Sequence, residues 1–334
     1  MSDNKPFLTY NQQMRKLRNE KNVECVGSPH KTILVRSGYF NIINGYKKPF
    51  VAGIISKHHI YIKGTSITQF LALKSFDSQL RVILLKYITQ IEEEVRTLAA
   101  YRFDMINDSG KIPWYDSDAY SPSISLQKKM KVISTAFNEL SKSRLDYVQF
   151  YMDNHEQIPT WIMMKVINFS TFIDVLEVSK KDVVHSICDL YNIVDGNGKN
   201  DVKLLIGSLH WMRKVRNACA HNERVYCLSR TNNSGQPSGR ILGQYLNSLR
   251  PSYRREHGQK IFDLVVYFKY FLPNTDFKQF IKELKSLIED LQSKIHPTAF
   301  ENVRGQMGIK HLDDLTILSN LPKDEIEYNK FDKI

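Results

Sequence analysis

The sequence predicts an all-α fold, and three observations carry that reading. Apolar residues recur at three- and four-residue steps through most of the chain, and few segments alternate apolar with polar residues. Turn-forming residues gather in short clusters between long periodic stretches rather than at the close, even spacing of an all-β chain. At 334 residues, with 42% hydrophobic and 25% charged, the composition is that of a folded globular protein.

The clearest element begins after Ser66. Leu80, Leu84, Tyr87, Ile91, Val95 and Leu98 form one apolar stripe, and Glu92 and Arg96, at i and i+4, can pair on a single face. Glu92, Glu93 and Glu94 read as a solvated helix face. A break follows at Asn107–Pro122, holding Gly110 and Pro113. Helices are predicted over Leu126–Tyr151, Thr160–Val178 and Lys181–Ile193, with Pro159 between the first two. A further helix is predicted within Asp201–Tyr226, and two more over Lys260–Phe271 and Asp276–Ile295. Ser229–Gly243 is rich in Gly, Ser and Asn and reads as a mobile loop. Ile54–Ile62 is the best strand candidate.

The first sixty residues are less regular. Leu8–Glu20 reads as a basic helix, with Thr9 and Gln12 spaced for a capping box. The stretch LVRSGYFNIINGYKKPF supplies Tyr39, Phe40 and Tyr46 either to a stacking surface for nucleic acid or to a helix packed on the main bundle. The boundaries that follow are a basic extension at 1–65, a helical domain at 66–300 and a C-terminal tail at 301–334.

The net charge of +12 favours a polyanionic partner. Residues 1–60 hold ten basic against three acidic residues, a net +7. Arg15, Lys16, Arg18, Lys47 and Lys48 are therefore the candidate RNA-binding residues. The four cysteines lack metal-type spacing, His58 and His59 diverge as neighbours, and no phosphate-binding glycine loop is present, so no metal or cofactor is expected. The amino terminus lacks a signal pattern. The most apolar run, Phe262–Leu272, is about half a membrane span and contains Lys269. A cytoplasmic protein that does not enter a membrane is the expectation.

The chemistry-bearing stretch is Arg216-Asn217-Ala218-Cys219-Ala220-His221. Arg grips phosphate bidentately, and an imidazole, with an ordinary pKa of about 6.5, moves protons near neutral pH. On a helix Asn217 and His221 share a face, whereas Arg216 is rotated roughly 140° from His221. One copy does not make a convergent pair; two copies meeting across a groove would. Arg216 and His221 are the candidate catalytic residues, with Asn217 supporting them.

Arg, four residues, then His, with Asn after the Arg, resembles the signature of the HEPN superfamily (higher eukaryotes and prokaryotes nucleotide-binding). Together with GYFNIINGYKKPF, FDSQLRVILLKYITQIEEEVR, HEQIPTWIMMKVINFSTF and VRNACAHNERVY, the chain resembles the AbiD/AbiF-like abortive-infection family over roughly residues 8 to 230. That resemblance implies a HEPN-type helical bundle, a homodimer, and metal-independent endoribonuclease action as a phage-defence toxin. It also implies a structured non-coding RNA as partner. Arg216 and His221 take the catalytic positions and Asn217 the supporting one. Glu92 and Arg96 match the family's Ile-Glu-x-x-x-Arg block and so can sit near a dimer groove. Two other functions fit the same residues: a non-catalytic HEPN-fold protein that holds RNA on its basic first sixty residues, and a helical adaptor that recognises a phage protein.

Overall fold

The computed structural model describes residues 7–55, 58–230, 243–250, 253 and 259–333. Among the described residues, thirteen α-helices and one hairpin are organised around a fourteenth, much longer helix. The amino-terminal elements are α1 (Tyr10–Lys21) and α2 (Gly27–Ser37), followed by a π-turn at Phe40–Asn44 and strands β1 (Val51–Ile55) and β2 (His58–Tyr61). Then comes α3 (Ile67–Ile106), whose 40 residues contain neither Gly nor Pro. At 1.5 Å per residue it runs about 60 Å. Ser66 caps its start by accepting from the Thr68 N–H at 3.3 Å.

The remaining helices are α4 (Leu126–Ser141), α5 (Asp146–Asn154), α6 (Thr160–Val166), α7 (Phe169–Val178), α8 (Lys181–Leu190) and α9 (Val202–Ala220). They are followed by α10 (Gln244–Asn247), α11 (Ile261–Phe271), α12 (Asn274–Lys294), α13 (Pro297–Met307) and α14 (Asp313–Asn320). α3 is packed by α6, α8, α9 and α12, with α7 and α11 lying against α9. The predicted all-α architecture is therefore what the chain adopts.

Several local expectations change. The single strand candidate is an antiparallel hairpin that pairs Val51 with Tyr61 and Ile54 with His59. Leu126–Tyr151 is two helices, α4 and α5. Thr160–Val178 is also two, because Ile167 turns extended (φ −61°, ψ 149°). The carboxylate of Glu139, on α4, then caps α7 by accepting from the Asn168 N–H at 2.6 Å and the Thr171 hydroxyl at 2.7 Å. The C-terminal segment beyond residue 300 is not a tail: Val303, Met307, Leu315 and Leu318 are buried in the common core. Of the Gly/Ser/Asn-rich loop, residues 231–242 lie outside the described residues.

The first sixty residues join the same core through Met14, Leu17, Leu34, Ile42 and Ile43. Thr9 and Gln12 form the predicted capping box at the start of α1. Tyr46 is buried and stacks on Tyr226 with ring centroids 6.1 Å apart, whereas Phe40 is 74% exposed. The packed-helix reading thus holds for Tyr46, and Phe40 remains a surface aromatic.

The apolar run Phe262–Leu272 becomes α11, buried along its whole length. Among the described residues, no helix is long and apolar enough to cross a membrane. Lys269 is satisfied inside the core by the carbonyls of Ser319 and Leu321, at 3.1 and 2.8 Å. Lys323 Nζ similarly donates to the Tyr270 carbonyl at 2.9 Å. Burial lowers both pKa values to about 8, helped at Lys269 by the charge of Lys278 and at Lys323 by that of Lys269.

One buried carboxylate ties the amino-terminal part to the rest. Asp77, on α3, is fully buried and accepts four hydrogen bonds. They come from Tyr46 Oη (3.0 Å), Arg81 Nη1 (2.8 Å) and the backbone N–H groups of Val225 (3.0 Å) and Tyr226 (2.9 Å). Burial raises its pKa, and these donors pull it back. Burial also raises the pKa of Tyr46, so that phenol stays a donor.

Replacing Asp77 with Ala strands four buried donors, and stability should fall by about 3 kcal/mol or more. Urea unfolding followed by circular dichroism measures this, with Glu289→Ala on the exposed face of α12 as the small-effect reference. The two lysines predict a pH dependence. Between about pH 8 and pH 10 the unfolded chain holds protons that the folded chain has released, so stability should rise with pH. The rise should flatten in the Lys269→Met/Lys323→Met double variant.

Candidate functional site

His221 closes α9. The helix ends because Asn222 adopts the left-handed conformation (φ 57°), one of the few a non-glycine side chain tolerates there. The Asn222 N–H donates to the Cys219 carbonyl at 3.2 Å, and the Glu223 N–H reaches back to Ala218 at 2.9 Å. This is the Schellman pattern, with His221 as the capping residue. Beyond it, Arg81 Nη1 donates to the Glu223 carbonyl at 3.1 Å, Arg224 Nη1 donates to Gly45 O, and Asp77 holds Val225 and Tyr226. The imidazole is exposed, but its backbone is locked on both sides.

Arg216 and His221 face different grooves. Arg216 lies on a cleft of about 980 Å³ beside α3, which Glu92, Arg96, Tyr101, Trp161 and Lys165 also line. His221 and Asn217 lie on a second groove of about 550 Å³. A contact between Arg216 Nη1 and Asn217 Oδ1, at 3.5 Å, links the two sides. The roughly 140° rotation between Arg216 and His221 is thus realised, and a single copy does not bring the pair together.

The three consecutive glutamates are not a solvated face. Glu92 is 9% exposed because it falls on the buried phase of α3 between Ile88 and Ala99. Its Oε1 accepts from Arg96 Nη2 at 2.7 Å and Nε at 3.1 Å, and its Oε2 is 3.8 Å from Arg216 Nε. Arg96 also donates to the Met164 carbonyl and stacks over Phe172, 4.8 Å from the ring centre. Burial lowers the pKa of Arg96, and Glu92 opposes that shift. Glu94 accepts from the hydroxyls of Tyr191 (2.5 Å) and Tyr328 (2.9 Å). Only Glu93 is exposed.

The groove that holds His221 has a lining the motif did not single out: His210, Arg213, Lys214 and Arg230. His210 Nε2 is 3.2 Å from Glu177 Oε1, a contact that lowers the Glu177 pKa with help from Lys128. Arg213 Nη1 donates to Ser170 Oγ at 2.6 Å, and its Nε is buried without a partner. Lys214 Nζ donates to the Ser229 carbonyl at 2.9 Å, and its pKa is lowered by burial and by Arg230. The signal was present in the sequence: positions 210, 213, 214, 217 and 221 follow the helical period.

Of the predicted RNA-binding residues, Arg15, Lys16 and Lys47 line one groove of about 670 Å³ together with Lys21, Tyr39 and Phe40. Arg18 has a local task instead, donating to the Cys25 carbonyl at 2.6 Å. Lys48 is exposed in the short turn before β1 and lies outside that groove.

The buried Glu92–Arg96 pair and the half-exposed Arg216 should separate on mutation. Glu92→Ala leaves a buried guanidinium without its carboxylate and should cost about 3–5 kcal/mol. Arg216→Ala should cost less than about 1 kcal/mol. Urea midpoints of the two variants test this; equal losses would mean that Glu92 does not hold the α3–α6 joint.

Comparison with curated proteins and with solved structures finds no match. A family model described as "Abi-like protein" matches residues 32–227. That span runs from α2 through Asp77 and α3 to the segment just after His221, and it covers more than half of the chain. The chain belongs to the Abi-like protein family.

Proposed function

We propose that this Abi-like protein is a metal-independent endoribonuclease of the HEPN type, acting in the cytoplasm as a toxin in abortive infection. The observation that carries the reading is His221: an exposed imidazole on a locked helix terminus, in a groove it shares with His210, Arg213, Lys214, Arg230 and the amide of Asn217, with Glu223 its single carboxylate among the described residues. Such a groove suits a phosphodiester.

In this reading His221 takes the proton from a ribose 2′-hydroxyl. The 2′-oxygen attacks the adjacent phosphorus, and the 5′-oxygen leaves with a proton from a general acid or water. The products are a 2′,3′-cyclic phosphate and a 5′-hydroxyl end. A guanidinium stabilises the added charge on the phosphorane. Because Arg216 of the same chain opens onto the other side of α9, Arg216 of a second copy completes the site, which makes the homodimer the active form. A structured non-coding RNA, seated on the groove of Arg15, Lys16 and Lys47, restrains the nuclease. That same groove favours the second reading, a non-catalytic RNA-holding protein.

Wild type, His221→Ala and Arg216→Ala, stripped of co-purifying nucleic acid, should be incubated with labelled RNA in EDTA. Wild type should cut and leave cyclic-phosphate ends, and His221→Ala should lower the rate by at least about a hundredfold. DNA should remain intact for want of the 2′-hydroxyl. Cutting unchanged by His221→Ala sinks the mechanism, and a discrete bound RNA with no cutting moves the weight to the second reading.

A further inference from the structure

The basic and amide side chains beside His221 form an ordered row. His210, Arg213, Lys214, Asn217 and His221 occupy positions i, i+3, i+4, i+7 and i+11 of α9, all lining one groove. Eleven residues rotate the helix by about 20° beyond three full turns and advance it by about 16 Å. The row is therefore nearly straight and several phosphates long. Among the described residues no carboxylate forms an ion pair with Arg213, Lys214 or Arg230. They donate instead to neutral oxygens, and Arg213 Nε is buried without a partner. Glu177 is engaged by His210 and Glu223 is the one carboxylate among the described residues lining the groove, so Arg213, Lys214 and Arg230 together outnumber the acid beside them and favour an anionic ligand.

The row also continues beyond α9. Glu223 lines both this groove and a neighbouring one that holds Lys74, Arg81, Arg224 and Phe40. Phe40 and Asn44 in turn line both that groove and the amino-terminal one of Arg15, Lys16, Lys21 and Lys47. Within the last groove, burial and the charges of Lys16 and Lys47 lower the pKa of Lys21, a sign of the same crowding. Phe40, 74% exposed where two basic grooves meet, offers a flat ring with no packing role of its own to explain its exposure.

We propose that this face of α9 is the bed of a single RNA strand, which places a phosphate at His221 and leaves across Phe40 toward the Arg15/Lys47 groove. Arg213, Lys214 and Arg230 grip successive phosphates, and one base stacks on Phe40. The identity of the strand as substrate rests on the ribonuclease reading above; the bed itself rests on the row of cations and the joined grooves.

The test uses the full-length protein and a fluorescein-labelled 2′-O-methyl RNA of about a dozen nucleotides, which lacks the attacking hydroxyl. Binding is followed by anisotropy over a salt series. Arg213→Gln/Lys214→Gln should weaken binding at least tenfold and reduce the slope of log Kd against log salt by about 1.4, two phosphate contacts at 0.7 each. Lys214→Gln/Arg230→Gln, which spares the Arg213–Ser170 contact, should act alike and guards against a folding defect in the first variant. Phe40→Ala should weaken binding about fivefold or more with the slope unchanged. Lys278→Gln/Lys282→Gln on α12, which lines none of these grooves, should alter neither quantity.

Affinity and slope retained in both α9 variants overturn the bed, as does an equal loss in the α12 control. Wild type that cuts unmethylated RNA at an unchanged rate in the α9 variants also overturns the bed while leaving the nuclease standing. Wild type that binds with the predicted slopes and never cuts supports the bed and removes the nuclease.

Discussion

The carboxylate of Asp77 is the interaction on which the site depends. A single buried negative charge collects a tyrosine from the amino-terminal segment, an arginine one turn further along α3 and two backbone N–H groups from the chain just beyond His221. Any one of these hydrogen bonds is worth little in net terms, but a buried carboxylate that loses its donors is costly, so the group forms as a unit. Its effect is positional. The Schellman turn sets where α9 stops, and Asp77 sets where the chain after it goes, so His221 is fixed on an element that cannot drift relative to α3. Three sequence blocks well separated along the chain, around Tyr46, Asp77 and Tyr226, are in this sense one structural feature.

Much of the fold was legible because the physics that determines it is local. The period of α3 shows in its apolar stripe, and the capping box of α1 is written within four residues. What escaped was set from a distance. The split between α6 and α7 carries no Gly or Pro at Ile167–Asn168, because its N-terminal cap is Glu139, a carboxylate on α4. The hairpin was read as one strand because Ser56 and Lys57, which lie between the two paired segments in the sequence, give no strong turn signal. The buried Glu92 was hidden by its neighbours: three acids in a row look like a solvent face, although the phase of α3 already places position 92 between Ile88 and Val95. Charge composition misled there, and periodicity would have corrected it. The row of cations on α9 was equally visible in period; the eye goes to the two motif residues rather than to the face they share with others.

α9 serves two surfaces at once, and this shapes what the motif can do. A five-residue spacing puts Arg216 and His221 on opposite flanks, so within one chain they answer to different surroundings. Arg216 approaches the buried Glu92–Arg96 pair, where a second guanidinium meets a carboxylate already engaged with the first. That contact is long, and the side chain is 41% exposed, so Arg216 is lightly held and free to be recruited elsewhere. His221 has the opposite character, with a rigid backbone and an open side chain amid cations.

A proton-transfer group gains from fixed placement, whereas a charge that must meet a developing phosphorane across a boundary gains from reach. The long stem of Arg216 supplies that reach: the side chain is 41% exposed and lies on a cleft whose aromatics, Trp161 and Tyr101, are themselves about half exposed. The chain therefore divides the motif between a held imidazole and a loose guanidinium. A division of this kind keeps the two motif side chains apart in the lone chain, so any chemistry that needs both of them waits on association with a second copy.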